Sequence, residues 1–113
     1  MRKIKVVLFM GGDSGEYEVS IASAAQVKNH LSSEKFEVYP VLIRDGKWTH
    51  TCENGTVVPF DRNNHCINIE NEAVKFDCAF IAIHGTPGED GKLQGYLDIA
   101  GIPYTTCDVT TSA

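Results

Sequence analysis

The sequence predicts an α/β protein on an open, mostly parallel sheet in three layers, with a small strand excursion in its middle. The first observation is alternation. β-branched and apolar runs are separated by stretches whose apolar residues fall near helical spacing, in the order strand, helix, strand, excursion, strand, helix, strand. The second is size and composition. The 113 residues are 42% hydrophobic and 22% charged, which suits one globular domain able to bury its core without staples.

Ile4 to Met10 (IKVVLFM) is bounded by Gly11-Gly12 and reads as a buried parallel strand covered on both faces. Gly11 to Glu18 reads as a loop. From Val19 to Leu31, the apolar residues Val19, Ala22, Ala24, Val27 and Leu31 are close to helical spacing, with Ser20, Gln26, Lys28 and Asn29 on the wetter side. Phe36 to Arg44 is a second strand, and Pro40 within it suggests a sheet edge or a bulge. Asp45-Gly46 is a turn signal. Lys47 to Cys52, Thr56 to Phe60 and Cys66 to Ile69 look like short strands of a meander, with Trp48 and the other aromatics packing it. Asp77 to Ile83 (DCAFIAI) is another buried strand, ending at His84, and Gly85 to Gly91 is a glycine-rich loop. Asp90 suits the N-cap of a helix through Ala100, with Leu93, Leu97 and Ala100 on one face. Gly101 and Pro103 stop that helix, Tyr104 begins a short strand, and Asp108 suits the cap of a further helix.

The 10 Lys and Arg against 15 Asp and Glu give a formal charge of -5, and the basic residues are scattered. Nucleic acid is therefore not an expected partner. A membrane is not expected either, since the longest strongly apolar run, Val6 to Met10, is about a quarter of a spanning helix. Met1-Arg2-Lys3 resembles the start of a signal peptide, but Gly11, Gly12 and Asp13 interrupt before an apolar core develops, so the cytoplasm is the expected location. Cys52, Cys66, Cys78 and Cys107 form no C-x-x-C pair and are expected to be reduced.

Ligands of open α/β sheets sit beyond the carboxyl ends of the strands, and two loops occupy that place. The first is Gly11-Gly12-Asp13-Ser14-Gly15-Glu16-Tyr17-Glu18. A dinucleotide fingerprint fails there, because position 10 is Met and three carboxylates stand where a pyrophosphate would want none. An acidic loop at a helix start suits a cationic group such as a ligand ammonium, with Glu16 best placed; from spacing alone, the simpler reading is that Glu16 and Glu18 complement a helix N-terminus. The second loop is His84-Gly85-Thr86-Pro87-Gly88-Glu89-Asp90-Gly91. His84 at a strand end can donate to a carboxylate or shuttle a proton, or be satisfied by the backbone. Glu89 and Asp90 suit orienting His84 or capping the next helix. His30, His50 and His65 lack such context and read as surface residues.

Gly11-Gly12-x-Ser14-x-Glu16-x-Glu18-Val19-Ser20 resembles the amino-terminal motif of D-alanine–D-alanine ligases. His84-Gly85-x-x-Gly88-Glu89-Asp90-Gly91-x-Leu93-Gln94-Gly95 resembles the first signature of the same enzymes, and Gly101-Ile102-Pro103-Tyr104-Thr105 and Ser112-Ala113 continue the likeness. Thr106 departs from it, the family usually having Gly there; a local backbone change without loss of function is expected. Residues 45 to 76 carry no motif.

The resemblance implies a Rossmann-like domain preceding an ATP-grasp part, in an enzyme that joins two D-alanines with ATP and magnesium for peptidoglycan synthesis. The first D-alanine is phosphorylated to an acyl phosphate, which the amine of the second attacks. The residue matching Glu16 holds the first ammonium, the one matching His84 assists its carboxylate, Val19 matches a pocket-lining position and Glu89 a supporting one. Ser20 matches a structural position at the helix start. The ATP and magnesium sites belong to later domains that these 113 residues do not supply, so residues 1–113 are expected to be an amino-terminal domain, inactive alone, with D-alanine as ligand and a homodimer as a reasonable assembly. The alternatives are a ligase joining D-alanine to D-lactate or D-serine, and a non-catalytic α/β ligand-binding module.

Overall fold

Four consecutive apolar residues set the centre of the molecule. Val6, Val7, Leu8 and Phe9 are all buried in β1 (Ile4–Gly11), and a strand buried on both faces needs neighbours at its sides and cover above and below. The computed structural model describes residues 3–11, 17–31, 34–82 and 92–106. Within them β1 pairs in parallel with β2 (Phe36–Arg44) over its whole length, from Ile4 opposite Phe36 to Gly11 opposite Ile43. On its other side it pairs in parallel with β7 (Cys78–Ile81), Val6 opposite Cys78 and Phe9 opposite Ile81. A short last strand, β8 (Tyr104–Thr106), adds in parallel to β7.

Alternation along β1 assigns its two faces. Val7 and Phe9 join Val41, Ile43, Ala79 and Ile81 in a core closed by Leu93 and Leu97 of α2 (Lys92–Ala100). Leu8 and Ala82 meet Met10, Val38, Phe80 and Val27 of α1 (Tyr17–His30) on the opposite face. One helix thus covers each face, and the expected three-layer α/β arrangement is present. α1 begins at Tyr17, two residues before the expected Val19, and Ala22 is exposed although it was expected on the apolar side. Five residues separate it from Val27, so the two cannot share a helical face.

The excursion continues the same sheet in antiparallel fashion through β3 (Lys47–Thr51), β4 (Val57–Asp61), β5 (Cys66–Ile69) and β6 (Glu72–Lys75). The full order is β6-β5-β4-β3-β2-β1-β7-β8. Asp45 and Gly46, with φ of 54° and 75°, make the two-residue turn between β2 and β3, the left-handed pair that matches strand twist. Glu70 and Asn71, at 51° and 66°, make the equivalent turn into β6. That strand is absent from the sequence reading because its turn contains no glycine.

The aromatics fold the excursion against α2. Phe9 meets Trp48 and Phe60 edge-on at 5.4 and 5.7 Å between ring centres, and Trp48 meets Tyr96 of α2 at 5.3 Å. Such edge-to-face contacts add to the burial itself. The Arg62 guanidinium lies 4.9 Å from the centre of the Trp48 ring, and His65 Nδ1 is 2.7 Å from the Tyr96 hydroxyl.

Two histidines depart from the surface reading. His50 is only 7% exposed, and its Nδ1–H donates to the Pro40 carbonyl at 2.8 Å. His65 is half-buried, whereas His30 is exposed as expected. Pro40 explains itself at the same point. β2 is interior in the sheet order, but β3 pairs with Leu42 to Arg44 alone, so the edge suggested by Pro40 is local to the first half of the strand. Cys52, Cys66 and Cys78 are free thiols, and burial pushes Cys66 and Cys78 up, which keeps them protonated and unreactive. Cys107 and Asp108 lie outside the described residues.

Candidate functional site

Gly11 ends β1 with φ of 98°, a left-handed backbone that side chains disfavour. A Cβ there would meet the Ile43 carbonyl oxygen at 2.6 Å and Leu42 Cδ1 at 2.7 Å. The chain must therefore carry glycine where it leaves the sheet beside β2. On the other flank, the Ala82 amide donates to the Phe9 carbonyl at 2.9 Å, so β7 stays bound to β1 up to its last described residue. The lower ends are pinned as well: the Lys5 amide donates to the Asp77 carboxylate and the Asp77 amide to the Lys5 carbonyl, each at 2.8 Å.

These bonds fix two neighbouring carboxyl ends in register. Residues 12–16 connect β1 to α1 and residues 83–91 connect β7 to α2. The two helices go to opposite faces of the sheet, α1 over Leu8 and α2 over Phe9. β1 and β7 thus straddle the point where the winding reverses, which is where open α/β sheets hold their ligands. The sequence offered two separate motif-bearing loops; the strand order puts their points of departure side by side.

Of the candidate residues, Val19 falls in the first turn of α1. Glu16, His84, Glu89 and the proposed cap Asp90 lie outside the described residues. α2 ends as expected at Gly101, φ 74°, with the Ile102 amide bonded to the Leu97 carbonyl at 3.0 Å and the Gly101 amide to Asp98 at 3.3 Å. That paired closure satisfies the last carbonyls of the helix. Among the described residues, no group of three His, Cys, Asp or Glu side chains is placed to hold a metal ion, and no helix is long and apolar enough to cross a membrane. A residue the sequence reading passed over is Gly11 itself as a point of close approach; its signal was the Gly-Gly pair ending an apolar strand.

A protein-family profile described as D-ala D-ala ligase N-terminus matches residues 5–107. The chain belongs to this family. As a D-Ala-D-Ala ligase amino-terminal domain it is 46% identical over 108 residues to the D-alanine–D-alanine ligase of Porphyromonas gingivalis, covering 96% of this chain and 33% of the relative. The crystal structure of D-alanyl-alanine synthetase A from Vibrio cholerae superposes with a TM-score of 0.79 at 35% identity, over 93% of this chain and 31% of that one. VanG D-Ala:D-Ser ligase from Enterococcus faecalis gives 0.79 at 32% identity, over 99% and 38%. The ligase domain described here therefore spans about a third of the length of the curated relatives it matches.

Proposed function

We propose that this chain is the first-substrate side of an ATP-dependent D-alanine–D-alanine ligase, and that the crevice beyond β1 and β7 receives the first D-alanine. The observation that carries the reading is the adjacency of those two carboxyl ends, which brings the origins of both motif-bearing segments to one place. Glu16 is assigned to the ammonium of the first D-alanine, where an acidic residue opposite a cation gains a charge-assisted hydrogen bond. His84 assists the carboxylate, Val19 lines the pocket and Glu89 supports it.

In the parent enzyme that carboxylate becomes an acyl phosphate. The amine of the second D-alanine attacks the acyl carbon and phosphate leaves, giving the dipeptide used in peptidoglycan. ATP and magnesium are assigned to the parts of the parent beyond this chain's third of the relatives' length, and the described residues hold no metal cluster that fits magnesium. A cytoplasmic location and a homodimer complete the proposal. The likeness to VanG at the same TM-score supports a second reading, a ligase that accepts D-serine as second substrate. A D-lactate variant differs from it in the same way. The crevice assigned here holds the first substrate, which these reactions share.

The test is made in the parent-length ligase. Glu16→Gln raises KM for D-alanine by about tenfold to a hundredfold, the loss of one hydrogen bond to a charged group. An unchanged steady-state profile removes Glu16 from the site. The 113-residue chain, given ATP, magnesium and D-alanine, releases phosphate at the background rate, and clear turnover would overturn the assignment of the catalytic machinery to other domains.

A further inference from the structure

The tip of the β3–β4 hairpin joins an exposed asparagine to a glycine. Asparagine stands at 29, 54, 63, 64, 68 and 71, and Asn54 alone is followed by glycine. An asparagine carboxamide is open to attack by the backbone nitrogen of the next residue, which closes a five-membered ring. A Cβ on that next residue crowds the approach and stiffens the backbone, and glycine does neither. Asn54 and Gly55 are both exposed. Gly55 has a φ of 91°, and beyond its chain neighbours no atom lies within 4 Å of where its Cβ would stand.

The turn prepares the carboxamide for this attack. The Thr56 amide donates to Asn54 Oδ1 at 2.9 Å, and the ring that this bond closes runs through the Gly55 nitrogen. The carboxamide is thus folded towards its successor. The same N–H faces the atom on which negative charge develops as Cγ becomes tetrahedral. One bond opposes the reaction: the Gly55 amide donates to the Cys52 carbonyl at 2.9 Å. A single exposed hydrogen bond slows the attack by no more than about tenfold. Other asparagines meet obstacles of the same kind. The Asn64 amide, which would attack Asn63, donates to Asp61 at 3.1 Å, and Asn29 and Asn68 lie inside α1 and β5. Their successors also carry a Cβ, so Gly55 makes the difference.

We propose that Asn54 is a site of spontaneous deamidation, independent of the ligase reading. Hydroxide takes the Gly55 amide proton and the nitrogen bonds to Asn54 Cγ. The bond from Cγ to the side-chain nitrogen breaks, and that nitrogen takes up a proton and leaves as ammonia, giving a succinimide. Water then opens the ring at either carbonyl. Opening at Cγ leaves aspartate, and opening at the main-chain carbonyl leaves isoaspartate, with one extra methylene in the backbone. Both products add a carboxylate beside Glu53. The isoaspartate also lengthens the loop closed by the Cys52 amide on the Thr56 carbonyl at 2.7 Å, next to the last ladder pair of Thr51 with Val57.

The test is incubation of the folded 113-residue chain in mildly alkaline buffer, followed by peptide mapping with mass spectrometry. The peptide holding Asn54 gains the mass of an amide-to-acid exchange and separates into two products, ahead of every peptide holding another asparagine. The mass gain distinguishes this from isomerisation at Asp45-Gly46, which leaves mass unchanged. The chain unfolded in guanidinium converts at Asn54 no more than about tenfold faster, the limit set by the Gly55 hydrogen bond. Asn54→Gln, which has to close a six-membered ring, stays unmodified at that position. Conversion led by another asparagine, no conversion at Asn54 in the folded chain, or equal conversion of Asn54→Gln would overturn the site.

Discussion

At Gly11 the backbone turns left-handed, and a Cβ there would lie 2.6 Å from the Ile43 carbonyl oxygen. Backbone cannot yield as a flexible side chain can. Gly11→Ala is therefore expected to cost about 2–4 kcal/mol, combining left-handed strain with overpacking. Urea unfolding followed by Trp48 fluorescence measures it, and a cost near zero would show that the strand end relaxes freely. Two tyrosines set the alkaline limit. Burial raises Tyr39 and Tyr96 from 10.0 to about 12, with the Glu37 hydrogen bond adding to the first. The protonated phenol is thus favoured in the folded state. Its contribution is complete below pH 10 and is lost as pH rises toward 12. Far-UV circular dichroism and tyrosinate absorbance should fall and rise together across that window. Tyr39→Phe should move the transition to higher pH.

At the scale of elements, local chemistry was legible where the signal is local. Phe36 to Arg44 and Cys66 to Ile69 match β2 and β5 end for end, and Gly101 stops α2 through its left-handed backbone. The turn into β6 was not legible, because Glu70 and Asn71 adopt the left-handed pair without the glycine that announces it. Asn71→Gly removes that strain and should stabilise the hairpin by about 0.5–1 kcal/mol. A higher midpoint in urea at unchanged slope would check this; a lower midpoint would mean that the Asn71 side chain contributes more than its backbone costs. Asp61 organises the preceding turn by accepting from the Asn63 and Asn64 amides and the Asn64 side chain, which lowers its carboxyl below the ordinary value.

For the whole molecule, β1 is clamped by parallel partners along both edges and covered on both faces, whereas β6 is an edge strand with two-sided exposure at Glu72 and Ala73. Amide exchange should therefore be slowest at Val6 to Phe9 and fastest in β6, approaching global unfolding only in the former. Uniform protection across the eight strands of the described residues would contradict that gradient. The two motifs, with Glu16, His84, Glu89 and their glycines, are readable as sequence patterns, and these three residues lie outside the described residues. That legibility has a cause: Gly, carboxylate and His choices around a turn are written in consecutive residues.

By itself, the sequence determined the alternation of strands and helices, the apolar face of α2 at Leu93 and Leu97, and the two motif-bearing segments, because periods of 2 and 3.6 and turn chemistry act over a few residues. Only the tertiary structure decided that Phe9 lies opposite Ile81, that His50 is buried on the Pro40 carbonyl, and that Trp48 and Tyr96 lock the excursion over α2. Each of these joins residues distant in the chain, and their pairing is chosen by which faces can be buried together, a competition that no local pattern records.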